Sequence, residues 1–393
     1  MIRIVLVVAL LTLSQAIGTF QAVRFPKDTQ AICLDSSPGG MYFFSPDIKG
    51  PNKLLIVFED TPGGWCYQED ISSSLKECAE WNHTVWGSGN DIEGELIVWT
   101  GFLSTSAPGE FNLWHKVIIK SCDGGSYIGD HMVQTGHGKL HFKGSKIVEE
   151  AIRTMEQRKF IQNREEVVIA GMYNGAAAAM MWADTIQQST SGKVRLLLDA
   201  GHYLNVQPHH KRIAPIQNRL ESLEKIALVN SSLPLQACEE KFKGQLWKCF
   251  LLENVAPLVN FPVFHAQSFY DPTHLAHIVG YDCTSVLHSL SECTKEEREA
   301  IQDYSHKVQT SLRELVSLRE DNGAWGISCV EHDILATKYG ESRYAVPMGK
   351  DIAAIAIQKW LQGEKVVLLD EKDWPSNANC AHKLVALLTT EQQ

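Results

Sequence analysis

Short apolar runs rich in β-branched residues alternate along this chain with segments in which apolar residues recur at helical spacing. A short apolar run bounded by turn residues is typical of a buried strand. Five such runs are predicted strands: Leu54 to Phe58, Val117 to Ile119, Val167 to Ala170, Val194 to Leu198 and Val263 to Ala266. Helical spacing predicts helices over 147–155, from about 176 to 186, from 294 to about 320, and over 351–361. The third of these begins at a capping box, Thr294 with Glu297.

The order of these elements predicts the fold class. Strands that alternate with helices are typical of a mostly parallel sheet with helices on both faces. No linker rich in proline, glycine or serine divides the chain. We therefore predict a single α/β domain over residues 23–393, with a helical insertion at about 205–255.

Composition narrows the class of partner. Hydrophobic residues make up 44% and charged residues 21% of the 393 residues, which is the balance of a globular protein. The net charge is −10, and the sequence contains no basic stripe. Because binding to a phosphate backbone requires clustered lysine and arginine, we expect no nucleic-acid partner.

The N-terminus predicts secretion. One positive charge is followed by an apolar run from Ile4 to Leu13 and then by small residues, as in a signal peptide. A spanning helix needs about 20 apolar residues, so this run is too short for a membrane anchor. We expect residues 1–16 to be removed by cleavage after Ala16, or residues 1–22 by cleavage after Ala22. No later stretch reaches spanning length, so the mature chain is expected to be extracellular.

Cysteines and sequons support this compartment. The chain has ten cysteines, an even number, which in a secreted protein indicates disulfides. Because no C-x-x-C pair occurs, a zinc site is disfavoured. Two glycosylation sequons begin at Asn82 and Asn230.

A glycine-bracketed turn after the strand at 167–170 is the first candidate for chemistry. It reads Gly171-Met172-Tyr173-Asn174-Gly175-Ala176 and leads into an alanine-rich helix. Strand, tight turn and helix in this order match the nucleophile elbow G-x-S-x-G of α/β-hydrolases, except that Tyr173 replaces the serine. Such a turn is also a common packing feature, so it does not by itself establish a catalytic site.

Three other segments occupy positions that an α/β-hydrolase site requires. Gly63-Gly64-Trp65-Cys66 follows the first core strand, where this fold places the N–H groups of an oxyanion hole. Asp271 follows the strand at 263–266, and His332 follows the segment 326–329. The order of nucleophile position, acid and histidine is the order that α/β-hydrolases use.

These segments resemble the pectin acetylesterase and Notum carboxylesterase family of secreted serine hydrolases, over about residues 30–383. The Cys-Asp-Gly segment is the most specific of them. The matching segments are Gly63-Gly64-Trp65-Cys66, Cys122-Asp123-Gly124-Gly125-Ser126-Tyr127-Ile128-Gly129-Asp130, Phe142-Lys143-Gly144, Asp199-Ala200-Gly201, Tyr270-Asp271 and Ser328-Cys329-Val330-Glu331-His332.

The resemblance implies a role for each matching position. Asp271 would orient His332, which would act first as general base and then as general acid. The N–H groups of Gly64, Trp65 and Asn174 would form the oxyanion hole. We expect no cofactor and no metal.

The resemblance and the chain order also imply a disulfide pattern. We expect the pairs Cys33–Cys122, Cys66–Cys78 and Cys329–Cys380. The other four cysteines are expected to pair among themselves: Cys238, Cys249, Cys283 and Cys293.

Tyr173 stands where the family has its nucleophilic serine, and this departure decides the expected function. A tyrosine hydroxyl lies several ångströms beyond a serine hydroxyl on a rigid ring, so it cannot be aligned for attack beside the same base. We therefore expect a catalytically impaired member that binds an acylated carbohydrate or an acylated protein. The alternative is an active carboxylic ester hydrolase, with an unconventional nucleophile or a water activated by His332, because Asp271 and His332 are retained.

Ser126 and Ser328 are rival nucleophiles. Each lies in a segment that matches the family without being its nucleophile, so both are expected to have structural roles. Trp65 and Trp86 either line a substrate groove or close the core, and the sequence does not separate these alternatives.

Two histidine pairs, His209-His210 and His274-x-x-His277, have spacings found in metal sites. A metal site would also need a third ligand, which the sequence does not reveal. With 15 histidines in the chain such pairs arise by chance, so chance spacing is favoured.

Overall fold

A ten-stranded sheet forms the centre of the fold. The computed structural model describes residues 19–59, 65–96, 101–105, 109–136, 138–209, 213–229, 231–281, 283–284, 289–338 and 352–376. The strands of the sheet are β1 (Phe20–Arg24), β2 (Gly40–Phe44), β3 (Lys53–Phe58), β4 (Glu95–Leu96), β5 (His115–Ile119), β8 (Glu166–Met172), β9 (Lys193–Asp199), β10 (Val263–Ser268), β11 (Gly323–Ile327) and β12 (Val367–Leu369). A separate antiparallel hairpin pairs β6 (His131–Thr135) with β7 (Gly138–Phe142).

The strand order confirms the predicted mostly parallel sheet. Across the sheet the strands follow the order β12-β11-β10-β9-β8-β3-β5-β2-β1-β4. Every neighbouring pair from β12 to β5 is parallel, whereas β2, β1 and β4 continue the sheet in antiparallel fashion. Ligands of α/β sheets bind beyond the carboxyl ends of parallel strands, so the loops after β8, β9, β10 and β11 are where a site is expected.

Helices connect the parallel strands. They are α1 (Ile71–Trp81), α2 (Gly144–Gln157), α3 (Asn174–Gln188), α4 (Ile216–Ala227), α5 (Gln236–Lys241), α6 (Leu252–Val255), α7 (Pro272–His274), α8 (Lys295–Ser317) and α9 (Ala353–Leu361). The predicted helices at 147–155 and 176–186 correspond to α2 and α3, and the insertion at about 205–255 contains α4 to α6. Residue 351, the predicted start of the last helix, lies outside the described residues.

Helix α8 begins where the sequence predicts but ends earlier. The hydroxyl of Thr294 accepts a hydrogen bond from the N–H of Glu297, and the Glu297 side chain accepts one from the N–H of Thr294. The helix ends at Ser317 rather than near residue 320. The Asn322 side chain donates to the carbonyl of Leu315, which also accepts the N–H of Leu318 at the C-terminal cap.

The burial of strand β3 explains why its sequence is a continuous apolar run and does not alternate between apolar and polar residues. Leu54, Ile56 and Phe58 belong to one buried cluster, and Leu55 and Val57 belong to another. Successive side chains of a strand point to opposite faces, so both faces of β3 are covered.

Four of the expected disulfides lie within the described residues. Cys33–Cys122 and Cys66–Cys78 form as expected. The four cysteines left open pair locally as Cys238–Cys249 and Cys283–Cys293. The fifth expected bridge, Cys329–Cys380, stays a prediction because Cys380 lies outside the described residues.

The N-terminal residues bear on the cleavage alternatives. Strand β1 begins at Phe20, whose side chain is fully buried against Phe44. Cleavage after Ala22 would remove three of the five residues of β1, whereas cleavage after Ala16 would leave the strand whole. Among the described helices, none has the length and apolar character needed to cross a membrane.

Candidate functional site

The turn between β8 and α3 has the geometry of a nucleophile elbow. Its central residue, Tyr173, has φ 49° and ψ −111°, a conformation that non-glycine residues rarely adopt. A Cβ on Gly171 would lie 2.1 Å from the carbonyl oxygen of Gly175, and a Cβ on Gly175 would lie 2.5 Å from that of Phe58. The flanking glycines are therefore required by the close approach of helix and sheet.

The Tyr173 side chain is buried in a group of aromatic rings. Only 1% of the residue is exposed. Its ring stacks on Trp65, with ring centroids 6.0 Å apart, and lies 5.6 Å from the rings of both Tyr203 and His274. Rather than lining an open cleft, as an exposed nucleophile would, this ring fills the space above the elbow.

A buried cation also contacts the Trp65 ring. The guanidinium of Arg219 lies 5.6 Å from the Trp65 ring and donates hydrogen bonds to the carbonyls of Tyr67 and His277. A cation over an aromatic face is attractive, and more so when both are desolvated. Trp65 thus contacts both Arg219 and Tyr173, and the aromatic group is a packed assembly.

Asp271 and His332 form an acid–histidine pair beside Tyr173. His332 Nδ1 lies 2.7 Å from Asp271 Oδ2, and the imidazole lies edge-on to the Tyr173 ring at 5.5 Å between centroids. The other carboxylate oxygen of Asp271 accepts the N–H groups of Thr273 and His274 at the start of α7. Of the two side chains, Asp271 is fully buried and His332 is 17% exposed, so the histidine is the member that solvent reaches.

The charge of Asp271 is stabilised by its neighbours. Burial alone would raise the pKa of this carboxyl, but the positive potential of His274 and His332 and their hydrogen bonds outweigh it and lower the pKa below its usual range. His274 Nε2 lies 2.8 Å from the Ala200 carbonyl and 3.8 Å from Asp271 Oδ2. A carboxylate with a lowered pKa in contact with a histidine is the arrangement that the acid of a catalytic triad requires.

Two more carboxyl groups adjoin this pair. Asp333 Oδ1 lies 3.1 Å from His332 Nε2, on the opposite side of the imidazole from Asp271. Asp199 accepts the Tyr173 N–H through its carbonyl and the Leu335 N–H through its side chain. Burial and the nearby Asp333 raise the pKa of Asp199 well above its usual value. Asp199 thus joins the elbow to the loop that carries His332.

The oxyanion residues can be placed only in part. Trp65 is described and buried, and Asn174 is the first residue of α3, whereas Gly64 lies outside the described residues. The Asn174 side-chain amide lies 3.5 Å from the Ser126 hydroxyl, so Ser126 adjoins the site through Asn174. The assignment of Gly64, Trp65 and Asn174 as an oxyanion hole stays a prediction.

The loop that carries Ser126 is built around Asp123. Its carboxylate accepts the N–H groups of Gly125 and Gly144, and burial raises its pKa to about 6. A Cβ on Gly144 would lie 2.6 Å from the Asp123 carboxylate, which explains the glycine. The Cys-Asp-Gly segment therefore has a structural role, and Ser126 belongs to it.

The other sequence candidates lie apart from Tyr173 or outside the described residues. Ser328 is buried, and its N–H donates to Asp370. Trp86 packs on Trp81 rather than on the aromatic group. The His209 ring stacks on Tyr281, and His210 lies outside the described residues.

The glycosylation sequons are placed only in part. Asn82 is the C-terminal cap of α1, in a turn, and Asn230 lies outside the described residues. Glycosylation at both positions stays a prediction.

Sequence reasoning missed Tyr203, His274 and Asp333 as site residues. Tyr203 follows the Asp199-Ala200-Gly201 segment, and its hydroxyl donates to the Phe250 carbonyl. His274 was considered only as a metal ligand. For Asp333 the available signal was its position directly after His332.

Two further histidines beneath the site predict acid sensitivity. His202 and His265 are buried, and within the described part of the chain neither His202 ring nitrogen nor Nε2 of His265 has a hydrogen-bond partner. Burial lowers the pKa of His265 to about 4; burial, aided by His265 and His274, lowers that of His202 to about 3. A lowered histidine pKa stabilises the fold above the unfolded-state pKa of about 6.5, and this stability is lost as the pH falls toward the folded-state pKa.

We expect each of these histidines to remove about 2 kcal/mol from the free energy of unfolding between pH 7.5 and pH 5. Urea unfolding at the two pH values measures the loss. His265→Gln should reduce it, and His83→Gln, at an exposed position, should not. An unchanged pH dependence in His265→Gln would show that His265 does not titrate in this way.

Comparison with known proteins places this site in context. A sequence model described as pectinacetylesterase matches residues 13–381. Pectin acetylesterase 11 of Arabidopsis thaliana is 24% identical over 324 residues, which cover 77% of this chain and 76% of that protein. The palmitoleoyl-protein carboxylesterase NOTUM of Schmidtea mediterranea is 22% identical over 331 residues, covering 80% of this chain but only 58% of that protein.

Solved structures show the same fold. The Wnt deacylase Notum from Drosophila superposes with a TM-score of 0.75 at 18% sequence identity, covering 92% of this chain and 99% of that one. A second crystal form of it superposes with a TM-score of 0.73. At this identity the likeness establishes the α/β-hydrolase type of fold.

Proposed function

Because this chain belongs to the pectinacetylesterase family, we propose that it is a secreted protein that binds an acylated carbohydrate or an acylated protein with little ester hydrolysis. The observation that carries the proposal is the buried Tyr173 ring at the elbow, where the family resemblance places a serine. An acyl carbon must approach within about 3 Å of a nucleophile at this point. The ring, packed on Trp65 and beside His332, takes up that space.

The class of ligand follows from the relatives and from the site. The named relatives are pectin acetylesterases and palmitoleoyl-protein carboxylesterases, so both act on esters of acyl groups. The aromatic group of Trp65, Tyr173 and Tyr203 is buried, so an acyl chain would have to displace part of this apolar group to enter the site. The partly exposed side chains of His332 and Asp333, at 17% and 32%, mark where a ligand would meet the site.

A second candidate function is an active ester hydrolase without a serine nucleophile. The 2.7 Å contact between Asp271 and His332 favours it, because a base oriented in this way can activate a water. The contact of Asp333 with His332 Nε2 opposes it, since Nε2 is the atom that would have to accept the proton. We therefore favour ligand binding.

Binding can be tested with matched probes. We expect a peptide carrying a medium-chain fatty acyl ester on serine, or an acetylated pectin oligosaccharide, to raise the melting temperature, whereas the deacylated form of the same probe does not. At a ligand concentration of 100 Kd the stabilisation is about 2.7 kcal/mol. Trp65→Phe should weaken the response, and Trp86→Phe, which changes a tryptophan away from Tyr173, should not.

Two outcomes would contradict binding at this site. An equal response to acylated and deacylated probes would show that the acyl group is not recognised. An equal loss of response in Trp65→Phe and Trp86→Phe would place the ligand elsewhere.

A further inference from the structure

Both ring nitrogens of His332 lie next to carboxyl groups, Nδ1 in a hydrogen bond and Nε2 in a close contact that lacks hydrogen-bond geometry. Nδ1 lies 2.7 Å from Asp271 Oδ2, and Nε2 lies 3.1 Å from Asp333 Oδ1. In a serine hydrolase only the first of these contacts is compatible with catalysis, because Nε2 must accept the proton of the nucleophile. The second contact therefore concerns the reacting atom of the base.

The backbone holds Asp333 in this position. Asp333 has φ 49°, in the left-handed region where aspartate and asparagine are tolerated better than most other residues. Two residues later the Leu335 N–H donates to Asp199 Oδ2 at 2.7 Å, which anchors the loop to the end of β9. Unusual backbone conformations that the surroundings maintain are found preferentially at functional sites.

We infer that Asp333 is a positioning residue that holds His332 out of base catalysis, by occupying the side of the imidazole to which a nucleophile would donate. This inference rests on the proposed function, in which the site binds an acyl ester without cleaving it. It also means that Tyr173 is not the only obstacle to hydrolysis.

The inference holds in either protonation state of Asp333. If the carboxyl is ionised, it stabilises the protonated imidazole, which cannot accept a further proton. If it is protonated, as burial favours by raising its pKa, its uncharged oxygen still lies 3.1 Å from Nε2 and crowds the approach to that nitrogen. In both states a carboxyl oxygen hinders a nucleophile from donating to Nε2.

The charged neighbours of His332 in the described part of the chain are few. Asp271 and Asp333 contact the ring, while His274 and Asp199 lie next to these two carboxyl groups. The Tyr173 ring covers the imidazole edge-on. Asp271 and His274 are fully buried, and Asp199 holds the elbow, so Asp333 is the charged neighbour that can be exchanged with the least disturbance.

The test compares variants built on Tyr173→Ser, which supplies a nucleophile. Tyr173→Ser/Asp333→Gly removes the carboxyl and suits the positive φ, and Tyr173→Ser/Asp333→Asn removes the charge at nearly constant size. Tyr173→Ser/Asn163→Gly is the matched control, because Asn163 has φ 57° at an exposed position and is not among the contacts of the site. Hydrolysis of a medium-chain aryl ester is measured from pH 5 to pH 9.

We expect Asp333→Gly to raise the rate of Tyr173→Ser about tenfold or more, because a freed general base contributes on the order of 10² to 10⁴. The acidic limb of the pH–rate profile should also shift to lower pH by about one unit, since a carboxylate at this distance stabilises the protonated imidazole. Asp333→Asn should give the pH shift with a smaller gain in rate. Asn163→Gly should change neither.

The inference is overturned if Asp333→Gly changes neither rate nor pH profile, or if Asn163→Gly produces the same gain. If both Tyr173→Ser and Tyr173→Ser/Asp333→Gly are inactive, ¹⁵N NMR titration of the His332 ring gives a second test. Equal titration curves in the native protein and in Asp333→Gly would contradict the inference. Enzyme-like hydrolysis by the native protein would instead contradict the proposed function, so the two failures are distinguishable.

Discussion

Tyr173→Ser is expected to give this protein an ester hydrolase activity about tenfold or more above that of the native chain, and about a hundredfold when Asp333→Gly is added. The elbow conformation, Asp271 and His332 are in place, so a hydroxymethyl group at residue 173 supplies the missing nucleophile. Native activity need not be zero, because a site without its nucleophile can retain residual catalysis of about 10³ to 10⁴ over water. Initial rates with short- and medium-chain aryl esters measure the gain.

The matched control is Tyr173→Ala, which opens the same space without a hydroxyl. Removing the buried ring costs about 2–4 kcal/mol of stability in either variant, so the melting temperature of each is measured first. Asn174→Ala, added to both, relieves crowding beside the acyl position. Equal rates for Tyr173→Ser and Tyr173→Ala would show that the serine does not act as nucleophile.

Loss of the Cys33–Cys122 disulfide is expected to lower the free energy of unfolding by about 4–5 kcal/mol. This bridge joins residues 89 apart, and the entropy lost by the unfolded chain grows with the length of the closed loop. Cys122 directly precedes Asp123, so the bridge also anchors the loop that Asp123 organises. Guanidinium unfolding of a double alanine variant measures the effect.

The Cys238–Cys249 bridge provides the comparison. It joins residues only 11 apart, and its removal should cost about 3 kcal/mol. An equal loss of stability in the two double variants would contradict the dependence on loop length.

The sequence predicts the centre of this fold because the central strands are recognisable locally. Strands β3, β5, β8, β9 and β10 each contain a short, mostly apolar run without alternation, which Arg195 interrupts in β9 and His265 in β10, as is typical of strands buried on both faces. Strand β11 escapes such reasoning because it reads Gly-Ala-Trp-Gly-Ile, with two glycines in five residues. Strand β12 has only three residues, too few for a periodic signal.

The sequence predicts a residue of the candidate site only where that residue belongs to a recognisable motif that follows a strand. Tyr173, Asp271 and His332 belong to such motifs, and the structure brings their side chains together. Tyr203 and His274 reach Tyr173 through the packing of separate loops, which spacing along the chain does not encode. The position of Asp333 over Nε2 depends on a backbone angle that the sequence does not reveal.

The most direct test of the central claim is the hydrolysis of an octanoyl aryl ester by the native protein and by His332→Gln. If Tyr173 closes the site to ester cleavage, the two rates should be nearly equal and far below that of a typical ester hydrolase, at most at the residual level of a site without its nucleophile. Tyr173→Phe should not change them. A native rate typical of an enzyme that His332→Gln abolishes and Tyr173→Phe leaves intact would contradict the account, and would identify an active hydrolase that uses a water or another nucleophile.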